Sequence, residues 1–192
     1  MEGPLCVDSQ NLSDEEKEKK IIEQFAQMLE SKIRKDPGGW LWAHRRWKST
    51  PDRSIVVLSD GKAGHRNQSL ALYEAIFKER AMSGAPDGTT HLKVIEIEFK
   101  NKTAGPLFRV LYRVFCGHVP FARFWAKNFL SEKSYQEVLS TYADIVISAG
   151  SLVAGVNLWC AKENVAKPVV IMDPGFGLAS FHAVIAPKHD GL

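Results

Sequence analysis

Residues 54–76 read SIVVLSDGKAGHRNQSLALYEAI, in which a polar bend joins an apolar run to a helical pattern. The run at 54–58 is rich in Val and Ile, which predicts a buried strand. Residues 67–80 predict the helix that follows, and Gly61 and Gly64 allow the backbone to turn between them. The stretch therefore predicts the first strand-to-helix unit of an α/β fold.

The same alternation continues along the chain. Four further short apolar runs predict buried strands at residues 92–99, 144–148, 168–172 and 183–185. Helices long enough for crossover connections are predicted at residues 131–143 and 152–163. Repeated strand and helix units indicate a Rossmann-like, mainly parallel sheet with helices on both faces.

A separate helix is predicted at the start of the chain. Ser13 and Glu16 form a capping-box pattern. An apolar stripe follows until the sequence Asp36-Pro37-Gly38-Gly39, and it comprises Ile21, Ile22, Phe25, Met28, Leu29 and Ile33. A segment rich in Trp and Arg comes next, and the composition changes near residue 52. We therefore expect two parts, residues 1–52 and residues 53–192.

Composition excludes several classes of protein. With 45% hydrophobic and 24% charged residues, the 192-residue chain is typical of a globular protein. A net charge of +3, from 25 basic and 22 acidic residues, is too balanced to indicate a nucleic-acid partner. The three cysteines lack CxxC spacing, so no metal site or disulfide framework is expected. No apolar run approaches the roughly 20 residues that span a bilayer, and a cytoplasmic location is the default expectation.

Three predicted loops are expected to meet at one edge of the sheet, because ligands of open parallel sheets bind beyond the carboxyl ends of the strands. These loops are residues 59–68, 149–153 and 173–178. The residues predicted to bind a ligand there are Asp60, Gly61, Lys62, Gly64, Asn67, Gln68, Gly150, Ser151 and Asp173.

The first loop offers both an anion site and a proton acceptor. Its amides and the helix that follows favour an anion, with Lys62 or Arg66 adding charge. His65 is the candidate catalytic residue, since an imidazole exchanges protons near neutral pH. The loop matches neither GxxxxGK[ST] nor GxGxxG, and the chain has no GxSxG nucleophile motif. The alternative is a simple turn with a solvated His65 and with Asn67 or Asp60 as the helix cap.

Residues 99–131 contain basic and large aromatic residues but no acid. Helices of this composition are typical of an anionic membrane surface, and the predicted surface cations are Arg109, Arg113, Arg123 and Lys127. The alternative is that the aromatic residues form the core under a long crossover while the cations are solvated. Nucleic acid is less favoured, because no binding module is present.

Residues 54–192 resemble the mitochondrial-fission Elm family, which is also described as glycosyltransferase-like. The motifs that carry the resemblance are LSDGKAGHRNQSLALYEAI, ADIVISAGS, VVIMDPGFG and VIAPKHDGL. The resemblance implies the acceptor-binding N-terminal half of a GT-B glycosyltransferase. His65 would be the general base on an acceptor hydroxyl, and amides near Gly61 and Gly64 would hold a phosphate or sugar.

The same resemblance sets expectations for ligands. A nucleotide sugar would be the donor substrate, and no cofactor is expected in this chain. The chain ends just after PKHDGL, so we expect the C-terminal donor-binding half to lie outside it, and we do not expect this chain alone to turn over.

Residues 13–51 resemble the C-terminal tail of lipid A lauroyl-type acyltransferases, through KIRKDPGGWLWAHRRWKSTP. The HxxxxD motif of those enzymes is absent from the chain, so the segment is expected to be non-catalytic. Both resemblances imply synthesis of envelope lipid or lipopolysaccharide at the inner face of the cytoplasmic membrane, with a lipid or glycan acceptor. Two alternatives remain: a non-enzymatic, membrane-associated adaptor, or part of a bifunctional acyltransferase.

Overall fold

The computed structural model describes residues 13–36 and 50–187, which fall into two compact units that divide between Thr50 and Pro51. The tryptophan-rich tail predicted from its resemblance to acyltransferases lies almost wholly outside the described residues. So does most of the terminal PKHDGL motif.

The described residues of the first unit form helix α1, at Asp14–Lys35. The predicted capping box is present: Glu16 N donates to Ser13 Oγ at 3.3 Å, and Ser13 N donates to Glu16 Oε2 at 2.8 Å. Acidic residues in the first turn and basic residues in the last turn complement the helix dipole. No residue of α1 is buried.

The second unit is an α/β domain, which confirms the predicted fold class. Its five strands form one parallel sheet in the order β2-β1-β3-β4-β5. The strands are β1 (Arg53–Ser59), β2 (Thr90–Glu96), β3 (Ile145–Ala149), β4 (Lys167–Ile171) and β5 (Ala183–Ile185). The helices are α2 (Ala63–Met82), α3 (Ala104–Val114), α4 (Ala122–Phe129), α5 (Glu132–Leu139) and α6 (Ser151–Asn164), and a short 3-10 turn spans Leu178–Ser180.

Helices cover both faces of this sheet because the central strands are apolar on both sides. Ile55 and Val57 of β1 point to the face on which α2 packs, together with Ile147 of β3. Val56 and Leu58 point to the opposite face, in a core cluster with residues from α3 to α6. Helix α6 is surrounded by this core, and its residues from Val153 to Ala161 are all buried.

The structure corrects three details of the predicted elements. Helix α2 begins at Ala63, four residues before the predicted start, so His65 lies in its first turn. Strand β2 ends at Glu96, after which Phe99 pairs in antiparallel fashion with Leu130. The predicted burial of β2 and β5 is wrong, because both are edge strands, and Ile95 is the only buried residue in either.

The basic and aromatic stretch folds into α3 and α4, and its aromatic side chains divide between the core and the surface. Phe108 and Tyr112 are fully buried, and their tilted rings pack with centroids 5.0 Å apart, so the inner side of α3 belongs to the core. Phe121 and Phe124 are instead exposed. No helix within residues 13–36 and 50–187 is long and apolar enough to cross a membrane.

Candidate functional site

The site lies where the sheet order reverses. Strand β1 connects through α2 to β2 on one side, whereas β3 connects through α6 to β4 on the other side. Helices α2 and α6 pack on opposite faces of the sheet, so the connections that leave β1 and β3 separate at their carboxyl ends. Such a switch point forms the ligand crevice of open parallel sheets.

The bend after β1 is held by the two side chains that precede Gly61. Ser59 Oγ accepts a hydrogen bond from Gly61 N at 3.1 Å, and Asp60 Oδ1 accepts one from Lys62 N at 3.2 Å. Lys62 is the N-cap residue of α2 and provides no side-chain cap. Neither Asp60 nor Asn67 caps the helix, which corrects that alternative. The first-turn amides of α2 therefore remain available to a ligand.

Asp60 and His65 form a hydrogen-bonded pair at this bend. Asp60 Oδ2 is 2.9 Å from His65 Nδ1 and 3.7 Å from Lys62 Nζ. The Asp60 side chain is 1% exposed, whereas that of His65 is 21% exposed. Because an ionised carboxylate only accepts hydrogen bonds, Nδ1 carries the proton of this pair, and in the neutral imidazole the lone pair is then on Nε2. Nε2 has no hydrogen-bond partner among the described residues.

Gly150 provides the surface against which the imidazole of His65 packs. It is the N-cap residue of α6, with a φ of 80°, and its N donates to Ile171 O at 2.9 Å. A Cβ at residue 150 would lie 2.7 Å from His65 Cε1, closer than any real contact. Glycine is therefore needed here both for the backbone conformation and for the approach of the imidazole.

The third loop joins the site through Ser151. A Cβ at Gly175 would lie 3.8 Å from Ser151 Cβ, which is ordinary van der Waals contact. Asp173 is exposed and shapes that loop, since its Oδ1 accepts a hydrogen bond from Gly175 N at 2.7 Å. The structure thus brings residues from all three predicted loops together, although Asp173 acts within its own turn.

Arg109 is a site residue that the sequence did not indicate. Its Nη1 donates to Ser151 Oγ at 3.1 Å, which places a guanidinium at the N-terminus of α6. The sequence assigned Arg109 to a membrane surface because it lies in the basic stretch, 42 residues before Ser151. No spacing in the sequence gives this contact, since it depends on how α3 packs against α6.

The remaining predicted ligand-binding residues, Gly64, Asn67 and Gln68, lie on α2. Asn67 and Gln68 are exposed, and neither makes a hydrogen bond to another site residue within the described part of the chain. Gly64 lies in the first turn of α2, where its missing side chain leaves the neighbouring amides uncovered.

The electrostatic character of the crevice favours an anion. Neither α2 nor α6 has an acidic residue in its first turn or a side-chain cap at its N-terminus. Two helix N-termini, the positive ends of their dipoles, therefore face the same edge of the sheet. No group of three His, Cys, Asp or Glu side chains in residues 13–36 or 50–187 could hold a metal ion.

Two cavities lie in other regions. One, of about 260 Å³, opens at the amino ends of β1 and β2 and includes His91, Lys93 and Tyr142. The other, of about 220 Å³, lies between α3, α4 and α6 and includes His118 and Trp159. Asp60, His65 and Gly150 line neither of them.

Comparison with known proteins identifies two families. A family model described as Mitochondrial fission ELM1 matches residues 63–192, more than half of the chain. A second, described as Bacterial lipid A biosynthesis acyltransferase, matches residues 7–49. Both agree with the resemblances noted in the sequence. Neither curated proteins nor solved structures give a match.

Proposed function

The chain belongs to the mitochondrial fission ELM1 family, and on that premise we propose that its α/β unit is the acceptor-binding half of a GT-B glycosyltransferase. Its reaction would transfer a sugar from a nucleotide sugar to an envelope lipid or glycan. Support comes from the Rossmann-like sheet, the family match and the chemistry of the crevice between β1 and β3. The observation that carries the proposal is the pair formed by Asp60 and His65.

In this proposal His65 is the general base. Asp60 accepts the Nδ1 proton and holds the imidazole in one orientation, so that the Nε2 lone pair faces an acceptor hydroxyl. Asp60 is a positioning residue, because its carboxylate acts through the imidazole. Its burial keeps water from competing for the hydrogen bond, and Gly150 restrains the imidazole from the other side.

The proposed step balances without a covalent enzyme intermediate. The acceptor oxygen forms a bond to the anomeric carbon of the donor sugar, and the bond from that carbon to the phosphate oxygen breaks. The hydroxyl proton moves to His65 Nε2, and a nucleoside diphosphate leaves. General base catalysis of this kind contributes about 10²- to 10⁴-fold to a rate.

The helix N-termini have a separate role in the proposal. Amides in the first turns of α2 and α6 would hold a phosphate group of the acceptor or donor, with Lys62 and Arg109 adding positive charge nearby. Arg109 would also fix Ser151 at the rim of this anion site.

The first part of the chain supports an envelope acceptor. Its residues 7–49 match the lipid A acyltransferase family, whose substrates are envelope lipids. We assign no acyl transfer to this segment, because the chain contains no HxxxxD motif.

A direct test is acceptor-dependent release of nucleoside diphosphate from a panel of nucleotide sugars. The protein, prepared from its complete reading frame, would be supplied with lipopolysaccharide and envelope lipid extracts as acceptors. We expect at least one donor to give a radiolabelled glycosylated product. No release and no product across the panel would contradict the proposal.

A non-enzymatic adaptor is the second candidate, favoured by the exposed apolar residues of α3 and α4. The two proposals differ in what they require of His65. An adaptor should keep its cellular activity when His65 is replaced by Ala, whereas a glycosyltransferase should lose it. Complementation of a deletion strain with His65→Ala distinguishes them.

A further inference from the structure

Helices α3 and α4 expose an unusual amount of apolar surface. Their inner sides are buried, with Phe108, Tyr112, Ala122 and Ala126 in one core cluster against the sheet. Large apolar side chains also lie on the sides that face away from the sheet. We call these the apolar face: Leu107, Val110, Val114, Phe121 and Phe124.

Three of these residues form an outer stripe on α3. Leu107, Val110 and Val114 are spaced three and four residues apart, so they lie above one another on the helix. All three are about half exposed or more, and Val114 reaches 70%. A helix that packs only against its own domain would carry polar residues there. The spacing thus indicates a second apolar contact for α3.

The start of α4 continues the apolar face. Phe121 is 83% exposed and Phe124 is 61% exposed. Phe121 also has a φ of 52°, a left-handed conformation that costs a residue with a Cβ about 1–2 kcal/mol. An exposed aromatic ring in this conformation gains nothing from the core of its own domain.

The charged side chains of the segment that carries the apolar face are all basic. Residues 100–130 contain no Asp or Glu. Arg113 and Lys127 are exposed, and their side chains have no hydrogen-bond or ion-pair partner in the described part of the chain. The other two predicted surface cations are engaged: Arg109 with Ser151, and Arg123 with Tyr135.

We propose that this face docks on the surface of an anionic phospholipid bilayer. The apolar side chains would enter the boundary between head groups and acyl chains, while Arg113 and Lys127 contact lipid phosphates. Charge complementarity favours this occupant, because the exposed cations Arg113 and Lys127 beside the apolar face match the negative charge of lipid phosphates. This inference goes beyond the glycosyl transfer proposed above and does not depend on His65.

Flotation with large unilamellar vesicles tests the docking. One set contains phosphatidylcholine alone, and the other contains phosphatidylcholine and phosphatidylglycerol at about three to one. We expect the wild-type protein to float with the anionic vesicles only. Each cation near such a surface contributes about fivefold to the binding constant, and salt reduces that contribution.

Two variants examine the two parts of the surface. Val110→Gln combined with Val114→Gln removes apolar area while keeping helix formers, and Arg113→Glu combined with Lys127→Glu reverses the charge. Each pair should lower the bound fraction at least about fivefold. Met82→Gln and Lys78→Glu, on α2 at the other face of the sheet, are the matched controls and should bind like the wild type.

Circular dichroism should show that every variant keeps its fold. Equal flotation of the wild type and both face variants would overturn the proposal, as would failure of the wild type to bind anionic vesicles. A concentration-dependent dimer that the same variants abolish, without any vesicle binding, would assign the face to a second copy of the chain instead. His65→Ala should float with anionic vesicles as the wild type does. Vesicle binding is therefore tested independently of the proposed glycosyl transfer.

Discussion

The imidazole of His65 packs against Gly150, so closely that a Cβ at residue 150 would lie 2.7 Å from Cε1. This contact joins the loop after β1 to the loop after β3, across the point where the sheet order reverses. The imidazole is thereby held from two sides, by the Asp60 carboxylate at Nδ1 and by the backbone of α6.

Gly150→Ala should be more destabilising than an alanine at a comparable glycine elsewhere. Gly88 also has a positive φ, of 77°, but a Cβ there would meet nothing within 4 Å. Both substitutions place a Cβ on a backbone with a positive φ, which costs about 1–3 kcal/mol. Gly150→Ala adds overpacking against His65, which we expect to cost a further 1–3 kcal/mol or so. Urea denaturation measures the difference, and equal losses at the two positions would show that the imidazole does not press on Gly150.

Asp60→Asn should release the imidazole of His65 from a single tautomer. The amide can offer either a donor or an acceptor to Nδ1, so the preference for an Nδ1 proton should weaken. Long-range ¹H–¹⁵N NMR of the imidazole measures this directly. Asp52→Asn is the matched control, since Asp52 is 3.3 Å from His91 but both side chains are more than half exposed. A His65 spectrum that Asp60→Asn leaves unchanged would remove the positioning role of Asp60.

The sequence predicted the α/β class and the central strands well, because Val- and Ile-rich runs that alternate with helical segments are compatible with few other fold classes. It erred at the edge strands β2 and β5, where apolar residues recur although only one neighbouring strand is present. It also began α2 too late. Gly64 and His65 read as loop residues, whereas Asp60 accepts from Lys62 N and pairs with the His65 imidazole, so the helix begins before them.

The candidate site was only partly accessible from sequence. The rule that ligands bind at strand carboxyl ends selected the loops that contain His65, Gly150 and Ser151. The pairing of Asp60 with His65, and the contact between Arg109 and Ser151, depend on side-chain orientation and helix packing. Neither leaves a signature in residue spacing.

The two described cysteines should differ sharply in reactivity. Burial raises the pKa of the Cys160 thiol to about 12, whereas Cys116 is exposed. At pH 8 iodoacetamide should label Cys116 in the native protein and should label Cys160 only after unfolding, because the thiolate is the reactive form. Peptide mass spectrometry measures the extent of labelling at each cysteine. Rapid labelling of Cys160 in the native protein would contradict its burial in α6.

The same shift makes stability depend on pH in a defined direction. The unfolded thiol ionises near its ordinary pKa of about 9, below the folded value of about 12. Above pH 9 the unfolded state therefore binds fewer protons, and the free energy of unfolding should fall as the pH rises towards 12. A Cys160→Ala variant should show a shallower fall in urea denaturation across this range.

Replacement of Asn157 should lower the free energy of unfolding more than replacement of most other polar residues. Its Nδ2 lies within hydrogen-bonding distance of Val146 O, Ser148 Oγ and Val169 O, so one buried amide links β3 and β4 beneath α6. Asn157→Ala should lower the free energy of unfolding by about 2–4 kcal/mol, through lost hydrogen bonds and a cavity. Asn128→Ala, at an exposed asparagine, should change it by about 0.5 kcal/mol or less. Similar values for both would contradict the proposed link.

Steady-state transfer kinetics of His65→Ala, measured beside the matched variant His91→Ala, show whether the His65 imidazole acts as the general base. With the donor and acceptor that the panel identifies, we predict that His65→Ala lowers kcat by about 10²- to 10⁴-fold with little change in KM, because the base acts in the chemical step. His91→Ala, at the opposite edge of the sheet, should retain the wild-type kcat. A His65→Ala protein with unchanged kcat would contradict the account.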